Sequence, residues 1–146
     1  MASGYLLDVN LVLALLDPQH VFHDAAHAWA EHEPDAPWYT CPIVQHGVLR
    51  VASQPRYPNS PGTVDAVRGV LAQFAASPRH RFLVDDVSLL DAGRVADATL
   101  LTPAHLTDLH LLALAVRHGV QLATFDRRVP VSAIVGGVGA LRVIAG

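Results

Sequence analysis

Leu106-Thr107-Asp108-Leu109-His110-Leu111-Leu112-Ala113-Leu114-Ala115-Val116-Arg117-His118-Gly119-Val120-Gln121-Leu122-Ala123-Thr124-Phe125-Asp126 decides the fold. Apolar residues recur every three or four positions up to His118, which predicts an amphipathic helix. Thr107 offers an N-cap and Gly119 a C-terminal stop. Gln121 to Phe125 follows at once as a short apolar run, the signature of a buried strand. A helix feeding straight into such a strand predicts a βαβ unit and a parallel sheet. The helix then runs back against the strand it precedes, so its first turn lies at the edge where the strand ends. Asp108 and Asp126 are thereby predicted to share one rim.

The start of the chain repeats the pattern. Tyr5-Leu6-Leu7 reads as a buried strand ending in Asp8, with a helix from Val9 to Leu16 closed by Asp17-Pro18. The remaining pattern predicts a helix over 22–32, a strand over 38–41, a helix over 43–52 opened by Pro42 and a loop over 54–62. Beyond it come a helix over 63–76, a strand over 81–84, a helix over 88–99 and a strand over 141–144. The alternation gives an α/β fold of three layers, α/β/α, around a mostly parallel sheet of about five short strands.

With 146 residues and 51% hydrophobic composition, the chain fits a single domain, 1–146, able to bury a core without staples. One cysteine, Cys41, excludes an intramolecular disulfide and a cysteine-rich zinc site. Leu11 to Leu16 is too short for a membrane span and the N-terminus lacks a basic signal region, so a soluble cytoplasmic protein with no membrane partner is expected. A net charge of −3 excludes a global nucleic-acid footprint but leaves room for a local basic patch. All ten basic residues are arginine, the residue suited to forked phosphate contacts.

Asp8, Asp108 and Asp126 are all predicted at the rim where open α/β sheets bind ligands. Singly, each has a modest role open to it: Asp8 as a helix cap, Asp108 as a first-turn charge, Asp126 as a turn former. Together they repel unless a cation or proton sits between them, and a hard divalent metal is the economical answer. Asn10 and Thr124, each two residues from one of these aspartates, suit the task of orienting a carboxylate or a bound water. Asp85 and Asp86 follow the third strand and are further candidates for the rim. His20, His23 and His27 cluster, but His-Asp-Ala-Ala-His is not a zinc-protease motif and reads as a solvated or interface face. Gly136-Gly137-Val138-Gly139 precedes a strand, so it is not a phosphate loop.

Four stretches carry a family resemblance: Leu6-Leu7-Asp8-Val9-Asn10; Thr40-Cys41-Pro42-Ile43-Val44-Gln45-His46-Gly47-Val48-Leu49-Arg50-Val51; Leu106-Thr107-Asp108-Leu109-His110-Leu111-Leu112-Ala113-Leu114-Ala115; and Leu122-Ala123-Thr124-Phe125-Asp126-Arg127-Arg128. In order and spacing they resemble the PIN-domain ribonucleases, in particular the VapC-type toxins of bacterial toxin–antitoxin pairs. The resemblance implies a PIN-like fold and a metal-dependent endoribonuclease with Mg2+ or Mn2+ held by Asp8, Asp108 and Asp126. It also implies a homodimer and a cognate VapB-type antitoxin. The family's glutamate falls at Gln45, expected at the same rim, where it would orient a water or an aspartate in catalysis. Arg50, Arg127 and Arg128 would hold the RNA backbone, with Arg56 and Arg79 further off; Tyr57 is a stacking candidate, as is Trp38, though Trp38 reads more readily as core. Two alternatives stay open. One is a degenerate PIN domain that mainly binds RNA or antitoxin, because Gln45 replaces the glutamate. The other is a phosphotransferase using Asp8 as nucleophile, disfavoured by Asn10 and by the lack of any lysine.

Overall fold

A computed structural model of the chain describes residues 4–146. Five strands, β1 (Tyr5–Leu7), β2 (Trp38–Thr40), β3 (His80–Phe82), β4 (Gln121–Thr124) and β5 (Leu141–Val143), form one sheet in the order β3-β2-β1-β4-β5. Every pairing is parallel. Central β1 is apolar throughout and buried on both faces, as the middle strand of a covered parallel sheet must be. The chain builds outward from β1 through β2 to β3, then returns to the other side of β1 with β4 and β5. The strand order therefore reverses between β1 and β4, and a crevice opens there beyond the strand ends.

Helices α1 (Val9–Leu16), α2 (His23–His32), α3 (Pro42–Ala52) and α4 (Val64–Ala75) pack on one another through α1–α2, α1–α3 and α3–α4 contacts. Helix α5 (Leu106–His118) packs against β1, β4 and the short turn at Gly137–Ala140. Pro42 occupies the first turn of α3, and Thr63 caps α4 by accepting from Ala66 N at 3.1 Å. Gly47 lets α3 close onto α1, since a Cβ there would lie 2.5 Å from a Val9 methyl. No described helix is long and apolar enough to cross a membrane.

Three expectations are corrected. Ser88 to Thr99 is not a helix. Its short polar side chains bind neighbouring backbone instead: Ser88 Oγ accepts from Leu90 N, Asp91 Oδ1 from Gly93 N and Asp97 Oδ1 from Thr99 N. Its backbone meets the 131–135 segment, with a Val95–Ile134 bridge and Ala96 N donating to Ala133 O at 2.8 Å. Only a single 3-10 turn, Ala98–Leu100, remains. Thr107 does not cap α5; the helix begins one residue earlier, with His105 at the cap position making no side-chain cap bond. Gly119, at φ 68°, closes it as expected. Strand β3 spans His80–Phe82 rather than 81–84, although Leu83 N still donates to Thr40 O at 2.9 Å.

Several polar residues hold the helices in place. His23 Nδ1 lies 2.7 Å from Ala14 O and His27 Nε2 lies 3.0 Å from Leu15 O, so both imidazoles satisfy carbonyls of the last turn of α1. Arg79 donates to Ala30 O, Glu33 O and Ala36 O while its guanidinium lies 4.0 Å from the Trp38 ring centre. Trp38 also stacks on Phe74, and the Tyr57 hydroxyl donates to Asp17 at 2.8 Å. Arg79, Trp38 and Tyr57 are thus engaged in holding the fold together.

Candidate active site

Asp8 leaves β1 at the crevice. Its backbone N–H donates to Ala123 O, which sets it opposite the end of β4. Only 7% of Asp8 is exposed. Both carboxylate oxygens are oriented: Oδ1 accepts from Leu11 N at 2.7 Å, capping α1, and Oδ2 accepts from Thr124 Oγ1 at 2.5 Å. Asp8 thus caps α1 and also lines the crevice. Burial pushes its carboxyl from 3.8 up to about 6. The Thr124 and Leu11 hydrogen bonds oppose that rise, and the charges of Asp108 and Asp126 add to it.

Thr124 links the carboxylates. While donating to Asp8, its hydroxyl oxygen accepts from Asp126 N at 3.0 Å. Asp126 folds into a turn in which its Oδ1 accepts from Arg128 N at 2.8 Å and from Arg128 Nε at 3.2 Å. These contacts, the backbone one foremost, hold the Asp126 carboxyl below its ordinary range. Asp108 stands in the first turn of α5. Burial raises its carboxyl, and the Asp126 charge raises it further.

All three aspartates line one cleft of about 440 Å³, together with Asn10, Thr124, Thr107 and Arg50. Arg50 comes from α3, on the wall opposite α5. Among the described residues no group of three or more His, Cys, Asp or Glu is already arranged to hold a metal ion. The donor set nonetheless fits a hard cation: three carboxylates converge on one cleft, and the buried one is held against its preference for neutrality. Such an ion would need waters or a phosphate to complete its shell, as is usual for Mg2+.

Other candidates lie elsewhere. Gln45 is in the first turn of α3 but turns away from the cleft. Its Nε2 donates to Thr40 Oγ1 at 3.0 Å, and Thr40 in turn donates to His80 Nε2 at 2.7 Å. Gln45 lines a groove between α3 and α4 with Leu49 and Arg68. The face of α3 that meets the cleft is Gly47, Arg50 and Val51, and position 45 is about half a turn from it. Asp85 pairs with His110 at 2.8 Å, and Asp86 with His118 and Arg117, so both pin the 83–101 segment onto α5. Arg127 is exposed beyond the cleft lining, and Arg128, 84% exposed, is paired to Asp126. A second groove, between α1, α3 and α4, is mostly apolar. Its one carboxylate, Asp17, accepts hydrogen bonds from Tyr57, Asn59 and the backbone of Gln19.

Two site residues were not anticipated. His105, on the turn before α5, bears electrostatically on both carboxylates, opposing the rise at Asp108 and adding to the lowering at Asp126. Its position three residues before Asp108 was a usable signal, one helical turn away. His20 reaches Asn10, with Nε2 3.1 Å from Asn10 Oδ1. No local spacing foretold that contact.

The PIN domain family profile matches residues 5–133. Ribonuclease VapC44 of Mycobacterium tuberculosis is 43% identical over 131 residues, covering 90% of this chain and 92% of that protein. Ribonuclease VapC38 of the same species is 42% identical, covering 83% and 84%. Among solved structures, the fold is similar to VapBC2 from Rickettsia felis bound to a promoter DNA fragment, with a TM-score of 0.60, 16% identity and coverage of 97% and 98%. It is equally similar to M. tuberculosis VapC20, described as a sarcin-ricin loop cleaving toxin, with a TM-score of 0.60, 15% identity and coverage of 90% and 97%. With a family match over most of its length and relatives above 40% identity, the chain belongs to the PIN-domain family, among relatives of the mycobacterial VapC ribonucleases.

Proposed function

We propose that this protein is a Mg2+- or Mn2+-dependent endoribonuclease, the toxin of a VapBC-type pair restrained by a small cognate antitoxin and assembled as a homodimer. The observation that carries the reading is the buried Asp8 carboxylate at the β1/β4 crevice, facing Asp108 and Asp126 across one cleft. Ribonuclease activity is supported further by the names of relatives above 40% identity.

Asp8, Asp108 and Asp126 would hold the ion. A bound divalent cation would offset their charge and make a water acidic enough to attack phosphorus near neutral pH. Thr124 fixes the rotamer of Asp8, so that carboxylate is presented in one orientation. Whichever of the three carboxylates reached the ion only through water would be free to accept the proton of the attacking water. Arg50, which lines the same cleft from α3, would meet the phosphate backbone, a contact that gives affinity without reading sequence.

A degenerate binding module remains the second reading, favoured by one observation: no glutamate lines the cleft and Gln45 is turned away from it. Cleavage of a structured RNA with Mg2+ or Mn2+, comparing wild type with Asp8→Asn, separates the two. A loss of at least 100-fold in the variant supports the nuclease. Equal rates near background support the binding module.

A further inference from the structure

Asn10 lines the cleft, and the orientation of its amide is set from outside it. His20 Nδ1 lies 3.0 Å from the backbone nitrogen of Phe22. A backbone N–H only donates, so Nδ1 is the acceptor and the proton of the neutral ring sits on Nε2. Nε2 in turn lies 3.1 Å from Asn10 Oδ1, so it donates to that oxygen. The Asn10 oxygen is thereby claimed by His20, and the Nδ2 amino group is the end left to donate into the cleft.

The histidine is itself anchored at the rim. The Phe22 ring stacks on Phe125 at 4.6 Å, and Phe125 immediately precedes Asp126. His20 N donates to Asp17 O at 3.0 Å, which closes the turn that brings the chain back along α1. Burial lowers the His20 pKa, with His23 adding to the effect and the charge of Asp17 opposing it, a balance that favours the neutral ring. The turn after α1 is therefore tied at one end to α1 and at the other to the strand that delivers Asp126.

We propose that His20 is a positioning residue: the relay from Phe22 N–H through the imidazole to Asn10 Oδ1 holds the Asn10 amide with its two N–H donors toward the cleft, where they bind a non-bridging phosphate oxygen of the RNA. An amide turned the other way would offer an oxygen to an anionic group. The inference deepens the ribonuclease reading and rests on it. It accounts for an asparagine among three aspartates: an amide supplies donors to a phosphate that a fourth carboxylate would repel.

Two substitutions divide the imidazole's roles. In His20→Gln the amide nitrogen falls near the former Nε2 and keeps a donor for Asn10. In His20→Asn the side chain still accepts from Phe22 N but is too short to reach Asn10. Full-length variants are compared on a fluorogenic single-stranded RNA oligonucleotide with Mg2+, after thermal melting has shown that they fold. His20→Asn is expected to raise KM about five-fold, the worth of one oriented hydrogen bond, with kcat changed less than about two-fold. His20→Gln should stay within about two-fold of wild type, and His20→Asn/Asn10→Ala should be no worse than Asn10→Ala. The 15N side-chain amide resonance of Asn10, assigned by its loss in Asn10→Ala, should shift in His20→Asn and not in His20→Gln, with no RNA present. The proposal is overturned if His20→Asn leaves both KM and that resonance unchanged, if His20→Gln is impaired as badly as His20→Asn, or if the His20 and Asn10 effects add. Absence of cleavage by wild type would refute the ribonuclease reading, while the resonance would still decide the relay.

Discussion

Replacing Asp8 by Asn should make the protein more stable while abolishing its proposed activity. The unfolded chain releases the Asp8 proton near 3.8, but the folded chain holds it to about 6. Well below pH 3.8 the group is protonated in both states and costs nothing. As pH rises through 3.8 the unfolded state loses its proton first, so stability falls, and above about 6 the full deficit of about 3 kcal/mol persists. Asparagine cannot ionise, so it removes the deficit. It also remains a good N-cap, with Oδ1 accepting from Leu11 N. The Thr124 hydroxyl loses its carboxylate acceptor, which costs about 1 kcal/mol. The net gain is about 2 kcal/mol at neutral pH, or roughly 4–8 °C in Tm for a chain of this size. Urea unfolding in EDTA at pH 7.5 and pH 4 measures it: the variant should be more stable at the higher pH, with that advantage gone at the lower. Equal or lower stability at pH 7.5, or a gain that ignores pH, would refute the claim that the fold holds this carboxylate ionised against its preference.

The same groups make other outcomes specific. At subsaturating Mg2+, kcat/KM should rise with pH around a midpoint near 6 as Asp8 ionises; a profile flat from pH 5 to 8 would contradict this. Thr124→Val removes the donor that opposes the upward shift, so the midpoint should move above 6 and cleavage should fall about 10- to 100-fold, read from pH–rate profiles. Gln45→Glu should leave Mg2+ affinity within about three-fold, because position 45 faces Thr40 and α4; isothermal titration showing a tenfold gain would place that side chain in the cleft. Gly47→Ala should cost about 1–3 kcal/mol in denaturant unfolding because the new methyl meets Val9, and Val9→Ala should recover most of the loss.

The parallel sheet was readable because β1 and β4 are short, uniformly apolar and each joined closely to a helix, so period and punctuation agreed. The convergence of Asp8, Asp108 and Asp126 followed from topology alone: strand ends and the start of the preceding helix share an edge whatever the side chains do. Gln45 fails at the next level of detail. Being in the first turn after β2 puts it at the correct edge, but the rotation of α3, set by Gly47 against Val9 and by the buried Val44 and Val48, decides which side chains meet the cleft. Ser88 to Thr99 reads as helix because its polar residues are compatible with a helix surface, whereas the backbone partners it actually meets, Ala133 and Ile134, lie far along the chain. The histidines at 20, 23 and 27 looked like one cluster. The structure divides them by carbonyl acceptors and by Asn10, groups that carry no signal in local spacing.

Anomalous diffraction from a crystal soaked in Mn2+ tests the central claim most directly. One strong peak within the cleft, in coordination distance of Asp8 and at least one of Asp108 and Asp126 directly or through water, is the predicted result. Manganese bound elsewhere, with the cleft empty at saturating metal, would contradict the assignment of these carboxylates to a catalytic ion.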